Sequence, residues 1–286
     1  MSQLSLSLSP NPSPTGGRGE QYPLLLAGEG MQFIDTHCHL DAAEFGNTQT
    51  ALIEEANSVG VGRIIIPAVE RANFSTVLNL CIQYPTCVAA FGIHPMYVDR
   101  AEPEDLNFLG EYLKKYQPIA VGEIGLDFFV DNFDREKQEF YFSAQLKLAQ
   151  EFNLPVLLHI RKATDTILKH LRRNPVRGGI AHAFNGSAQQ AAEFIKLGFK
   201  LGFGGAMTFP RATKLRELAA TLPLESIVLE TDAPDIPPAF LQRGQANRPG
   251  YLPRIAETLA ELRNMPIADI ARITSANAKA ALPQLA

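Results

Sequence analysis

From residue 31 onward, short runs of β-branched and other apolar residues alternate with longer stretches in which apolar positions recur at helical spacing. Eight such runs are predicted as strands, near 32–36, 63–69, 87–92, 118–122, 154–159, 179–183, 199–204 and 226–230. Between them lie amphipathic segments such as 134–152, where Phe142, Leu146 and Ala149 share one helical face, and 188–197. Pro103, Pro155, Pro210 and Pro249 punctuate element boundaries, where a missing N–H costs least. The alternation predicts βα units around a parallel sheet, and eight units in about 250 residues match an α/β chain folded as a (β/α)8 TIM barrel. A doubly wound open sheet is the rival. Against it, no Gly-x-Gly-x-x-Gly follows the first strand, and the glycines at 202, 204 and 205 come late in the chain.

Residues 1–30 are rich in Ser, Pro and Gly and show neither period, so they are expected to be a disordered or spurious extension outside the fold. One reading makes Met31 the true start, which the intact mass of the native protein settles. Residues 31–286 are expected to form the barrel domain. With 46% hydrophobic residues in 286, one large core is attainable without disulfides. Cys38, Cys81 and Cys87 are sparse and odd in number, which points to free thiols and a reducing compartment. No run approaches the ~18 apolar residues of a membrane helix, so no membrane partner is expected and the cytoplasm is the expected location. The formal net charge is −4, which excludes a global basic field for nucleic-acid binding. Any phosphate-bearing substrate must then be held by metals and a few local cations.

Candidate chemistry collects at the ends of the strands. In Asp35-Thr36-His37-Cys38-His39, residues two apart share a side, so both imidazoles can aim at one ion while Cys38 points away. Glu123 follows the fourth strand, His159 the fifth, His182 the sixth and Asp232 the eighth. In a barrel these C-terminal ends meet on one face, where barrel active sites are built. Five of the six histidines, counting His94, sit at such ends; His170 is mid-helix and reads as an ordinary surface or half-buried residue. Several polar groups at apolar strand ends are costly unless something pairs them. Four histidines and two carboxylates exceed the three protein ligands usual for one catalytic zinc, which points to two divalent cations bridged by Glu123 and a hydroxide. Mixed His and carboxylate ligation suits Zn, Mn or Co, and Mg less comfortably.

These motifs, with Gly92-Ile93-His94-Pro95, His182-Ala183-Phe184-Asn185-Gly186-Ser187 and Leu229-Glu230-Thr231-Asp232-Ala233-Pro234, resemble the TatD-type metal-dependent deoxyribonucleases. That family is a branch of the amidohydrolase superfamily, and the likeness to its YjjV-like members runs from Met31 to about Asn277. The resemblance implies one ion on His37, His39, Glu123 and Asp232, and a second on Glu123, His159 and His182. It also implies that Asp232 accepts a proton from the attacking water, making Glu123 and Asp232 the catalytic pair. His94 and Arg161 are candidates to touch a substrate phosphate. Asn247, in a loop that matches the family's Asn-x-Pro but is less basic than its usual pattern, is a third candidate substrate contact. Asp127 and Glu230 are expected to orient ligands.

The resemblance implies a deoxyribonuclease, with single-stranded DNA or strand ends as substrate. Two alternatives remain. Amide or ester hydrolysis needs the same metal site, and the lack of a pronounced basic track and of evident aromatic stacking residues beside the motifs keeps it open. A catalytically idle metal-binding barrel is the other. The sequence leaves the oligomeric state open.

Overall fold

A computed structural model of the chain describes residues 31–129 and 133–285; the expectation for residues 1–30 lies outside the described residues. Eight strands follow one another: β1 (Phe33–Asp35), β2 (Val61–Pro67), β3 (Cys87–Ala90), β4 (Val121–Asp127), β5 (Val156–Arg161), β6 (Gly179–Ala181), β7 (Phe199–Phe203) and β8 (Ile227–Leu229). Strands β1 to β3 pair in parallel, as do β4 to β8. A parallel bridge between Phe91 and Val121 joins the two groups, with Gly122 N–H donating to Phe91 O at 2.9 Å. At the other seam Thr36 N–H donates to Leu229 O at 3.1 Å and Cys38 bridges Ala233. The eight strands thereby close into the (β/α)8 barrel that the hydrophobic pattern predicted.

A helix follows each strand: α1 (Gln49–Ser58), α2 (Phe74–Gln83), α3 (Pro103–Tyr116), α4 (Arg135–Glu151), α5 (Thr164–Arg173), α6 (Ala188–Lys196), α7 (Thr213–Thr221) and α8 (Leu252–Arg263), with an extra α9 (Ile267–Ala281). Local chemistry sets their starts. Asp134 accepts from Lys137 N–H at the head of α4, Ser187 and Gln190 form a reciprocal cap on α6, and Pro103 occupies the first turn of α3.

Because strand neighbours face opposite ways, most of the strands feed two cores. Ile34, Ile65, Ala90, Leu157, Ile180 and Val228 fill the barrel interior. Phe33, Ile64, Ile66, Val156, Leu158 and Leu201 belong to the larger core shared with the helices. Ala278, Ala281, Leu282 and Leu285 join the interior cluster, so the Ala-rich end of the chain closes the barrel there. Small residues let α9 approach closely, and Asn277 Nδ2 donates to Leu224 O and Ile227 O at 2.8 and 2.7 Å.

Strands β4 and β5 run further than predicted, reaching Asp127 and Arg161 rather than residues 122 and 159. Glu123, His159 and Asp127 read as the polar close of a strand, yet they pair with one another, so the strands continue through them. The β4 register shifts between Val121 and Ile124, which is where Glu123 is redirected toward the barrel mouth. His170 also departs from expectation. It is 7% exposed rather than at the surface, with Nδ1 2.8 Å from Ser143 Oγ and Nε2 3.0 Å from Glu139 Oε2. All three cysteines are free. Among the described residues no helix is long and apolar enough to cross a membrane.

Candidate metal centre

The six residues singled out as ligands converge at one end of the barrel around Glu123, which is 1% exposed. Its two carboxylate oxygens face different groups. Oε2 lies 3.1 Å from His37 Nε2 and 3.4 Å from His39 Nε2. Oε1 lies 3.0 Å from His159 Nδ1, 3.3 Å from His182 Nε2 and 3.5 Å from His94 Nε2. Asp232 Oδ1 stands 3.8 and 3.7 Å from the Nε2 atoms of His37 and His39. The regular strand ends at Asp35, before the two histidines, yet His37 and His39 still bring their Nε2 atoms to 3.3 Å while Cys38 is fully buried.

These separations fit cations. With bonds of about 2.0–2.1 Å, the ligand atoms of a tetrahedral ion lie about 3.4 Å apart. His37, His39 and Glu123 form one triad with ligand atoms within 4.8 Å of one another, and His37, His182 and Asp232 another. The imidazoles differ in charge: against the lowering effect of burial, Glu123 holds His39 up at about 9 and Asp232 and Glu123 hold His182 well above the usual imidazole range, so a cation would bind there by displacing a proton. Burial pushes the His37 imidazole down to about 3, leaving it neutral with a free lone pair. Burial would raise the Glu123 carboxyl, but the surrounding imidazoles of His37, His94 and His182 hold it well below the usual carboxylate range. Burial pushes Asp232 up to about 6, with His182 and His39 pulling against it.

A further layer orients the imidazoles. His159 Nε2 lies 3.0 Å from Asp127 Oδ2 and Nδ1 3.0 Å from Glu123 Oε1, so with a cation bound Asp127 would hold the ring proton on Nε2 and leave Nδ1 as the ligand. His182 Nδ1 lies 3.5 Å from Glu230 Oε1, which also accepts from Ala183 N–H. Asp35, which carried no assigned role in the sequence, accepts from Thr231 Oγ1 and Thr231 N–H at 2.6 and 2.9 Å and ties the end of β1 to the segment after β8. Its signal was a charged residue within an apolar strand. Two turns beside the ligands use left-handed backbone, at Ala183 (φ 44°) and Asp232 (φ 57°), as strained residues at functional sites often do.

Residues 34–283 match the family described as TatD related DNase. The chain belongs to the TatD family. It is 45% identical over 244 residues to the metal-dependent hydrolase YjjV of Escherichia coli (strain K12), an alignment covering 84% of this chain and 94% of that protein. The crystal structure of that YjjV, described as a TatD homolog, superposes with a TM-score of 0.85 at 42% identity, covering 88% of this chain and 98% of the other. A protein of Erwinia tasmaniensis named 3′-5′ ssDNA/RNA exonuclease TatD is 30% identical over 253 residues, covering 86% of this chain and 98% of its own length. As a TatD protein the chain is a metal-dependent hydrolase.

His94 takes a role that its position alone does not give. Met96 N–H donates to His94 Nδ1 at 3.1 Å, so the neutral ring carries its proton on Nε2, and burial pushes its pKa down to about 4. Although His94 groups with Glu123 and His159, its inward nitrogen is therefore a donor and has no lone pair for a metal. The structure gives Asn247 a different place from the one expected. It is fully buried, donating to Thr231 O and Ile236 O at 2.7 and 3.2 Å and accepting from Arg248 N–H at 2.9 Å. Both amide hydrogens are engaged, so it clamps the segment after β8 and does not reach a substrate. Arg161 is half exposed at the end of β5, with Nη1 4.0 Å from Asp127 Oδ2.

The TatD centre opens onto a first pocket of about 140 Å³, which runs beside Asp232 between Phe184, Phe203 and Ile236; a second cavity, of about 530 Å³, lies apart from the candidate ligands, between Arg71, Tyr97 and Phe108. Phe184 and Phe203 are buried and offer no face for stacking, whereas Tyr97 stands edge-on to His94 with ring centroids 6.0 Å apart. Gly202 lines the first pocket, and a Cβ there would lie 2.1 Å from Glu230 Oε2. Since Glu230 is buried and bonded to Ala183 N–H, Gly202→Ala is expected to displace it from His182. The expected outcome is a loss of metal affinity at the His182 side of about 10- to 100-fold, measured by titration of metal-free protein; unchanged affinity refutes the orienting role.

Proposed function

We propose that this TatD protein is a two-metal phosphodiesterase acting on single-stranded DNA or strand ends, with residues 31–286 as the catalytic unit. The observation that carries this reading is Glu123, whose two oxygens face two separate sets of imidazoles at 3.0–3.5 Å. His37, His39, Glu123 and Asp232 would hold one cation, and Glu123, His159 and His182 the other. When bound, a divalent pair supplies Lewis-acid polarisation of a phosphoryl oxygen and a nucleophile at neutral pH. Zn, Mn and Co suit the donors best.

The chain's own residues do the rest. Asp232, beside the His37 and His39 pair, accepts the proton that the attacking water gives up. His94 offers its Nε2–H to a non-bridging phosphate oxygen, where negative charge builds in the transition state. Arg161, half exposed beyond His159, can pair with the next phosphate through two N–H groups. The relative named an exonuclease of single-stranded DNA and RNA supports this choice of substrate.

Amide or ester hydrolysis by the same centre is the second reading, favoured by the net charge of −4. The deciding experiment offers 3′- and 5′-labelled single-stranded DNA to metal-stripped protein re-supplied separately with Mg, Mn, Co and Zn. Metal-restored cleavage is expected, and the label pattern gives its direction. No cleavage with any metal, while two ions are bound per chain, overturns the nuclease reading and leaves amide or ester hydrolysis.

A further inference from the structure

Among the described residues, four large apolar side chains are more than half exposed: Ile82, Met96, Phe129 and Phe140. Ile82 and Phe140 lie on helices. Phe129, by contrast, stands just beyond β4 on the same end of the barrel as the metal centre, and it is held there. Its N–H donates to Asp127 Oδ1 at 2.9 Å, and the other oxygen of that carboxylate accepts from His159 at 3.0 Å. The preceding residue, Phe128, donates its N–H to Arg161 O at 2.8 Å. The Arg161 guanidinium lies over the Phe129 ring, 3.9 Å from its centroid. An aromatic ring is thus fixed in solvent, one carboxylate away from a candidate metal ligand, with a planar cation stacked on it.

We infer that Phe129 and Arg161 form a platform for the nucleobase that flanks the scissile phosphate; the inference rests on the phosphodiesterase reading above. A flat apolar surface beside a fork of N–H donors matches a ligand with a π-face and an adjoining anion, which is a nucleotide within a strand. Every base has a π-face, so the platform tolerates any sequence. A base inside a duplex has its faces covered by its neighbours, whereas an unpaired end can swing onto the ring. The platform also answers the charge problem. At net −4 the protein has no long-range attraction for a polyanion, so short-range stacking supplies the hold.

The test compares hydrolysis of a short oligothymidylate with that of an oligomer of the same length built from abasic residues, using the metal-loaded full chain. The wild type is expected to prefer the thymidine oligomer by KM. In Phe129→Ala, KM for the thymidine oligomer is expected to rise about tenfold, the scale of one lost base stack, and the preference over the abasic chain to collapse toward one. Phe129→Tyr, which keeps a ring, is expected to restore both. The change falls on KM rather than kcat because the ring does not touch the reacting phosphate. If Phe129→Ala retains the wild-type preference while cleavage persists, the platform is overturned and the phosphodiesterase reading survives. If the wild type cleaves neither oligomer with any metal, that reading fails and the platform fails with it.

Discussion

Glu123→Gln is expected to lower bound metal from two ions to fewer than one per chain and to reduce hydrolysis by at least about 10³-fold. The amide has nearly the same shape as the carboxylate, but it is neutral and presents one oxygen and one NH2 group. The oxygens of Glu123 meet His37 and His39 at 3.1 and 3.4 Å on one side, and His159 and His182 at 3.0 and 3.3 Å on the other. Whichever way the amide turns, one set of imidazoles faces hydrogens instead of a lone pair, so neither site keeps a full anionic ligand set. Losing one preorganised donor in a buried site typically costs 10² to 10³ in rate, and in the proposed two-cation site both ions would depend on this single group. Metal content by mass spectrometry and the rate on labelled single-stranded DNA check this together. Two retained ions with unimpaired hydrolysis would remove Glu123 from the bridging position.

The sequence made this experiment foreseeable because the candidate ligands sit at strand ends, and strand ends are legible. Ile64-Ile65-Ile66 and Val156-Leu157-Leu158 are short apolar runs, rich in β-branched residues or preceded by proline, that read as buried strands, so His159, one residue beyond such a run, could be placed on the barrel mouth without coordinates. Contacts between distant residues were not legible in the same way. Glu230 lies 47 residues from Ala183 in the chain, yet it accepts that N–H, and Thr231 is bonded to Asp35 across 196 residues. Asn247 shows the limit most plainly. Its motif position was visible, but whether an amide in a loop faces solvent or backbone carbonyls depends on how the segment after β8 folds back, and no local pattern encodes that. Nor could periodicity place Phe129, since an apolar residue after a strand normally returns to the core. The structure leaves it outside because its backbone is pinned to Asp127.

Asp232→Asn separates catalysis from assembly, and is expected to cut kcat by about 10²- to 10⁴-fold, the range for loss of a positioned proton acceptor, while most of the metal stays bound. Asn accepts the left-handed backbone of this position, φ 57°, at least as readily as Asp, so the turn after β8 should survive. Asp232 N–H donates to His37 O at 2.8 Å, a main-chain bond that the substitution leaves in place. His37, His39 and Glu123 remain as three donors for that ion. What disappears is the carboxylate proposed to take the proton from water. The pH profile carries the signature. Burial pushes Asp232 up to about 6, and bound cations favour the ionised form, so its proton acceptor is lost as the pH falls through 6 or somewhat below. The wild-type rate should therefore decline on the acid side through that window, and the residual rate of Asp232→Asn should lack that limb. An unchanged kcat with the acid limb intact would assign proton transfer to another group, and a large loss of bound metal would make Asp232 chiefly a ligand.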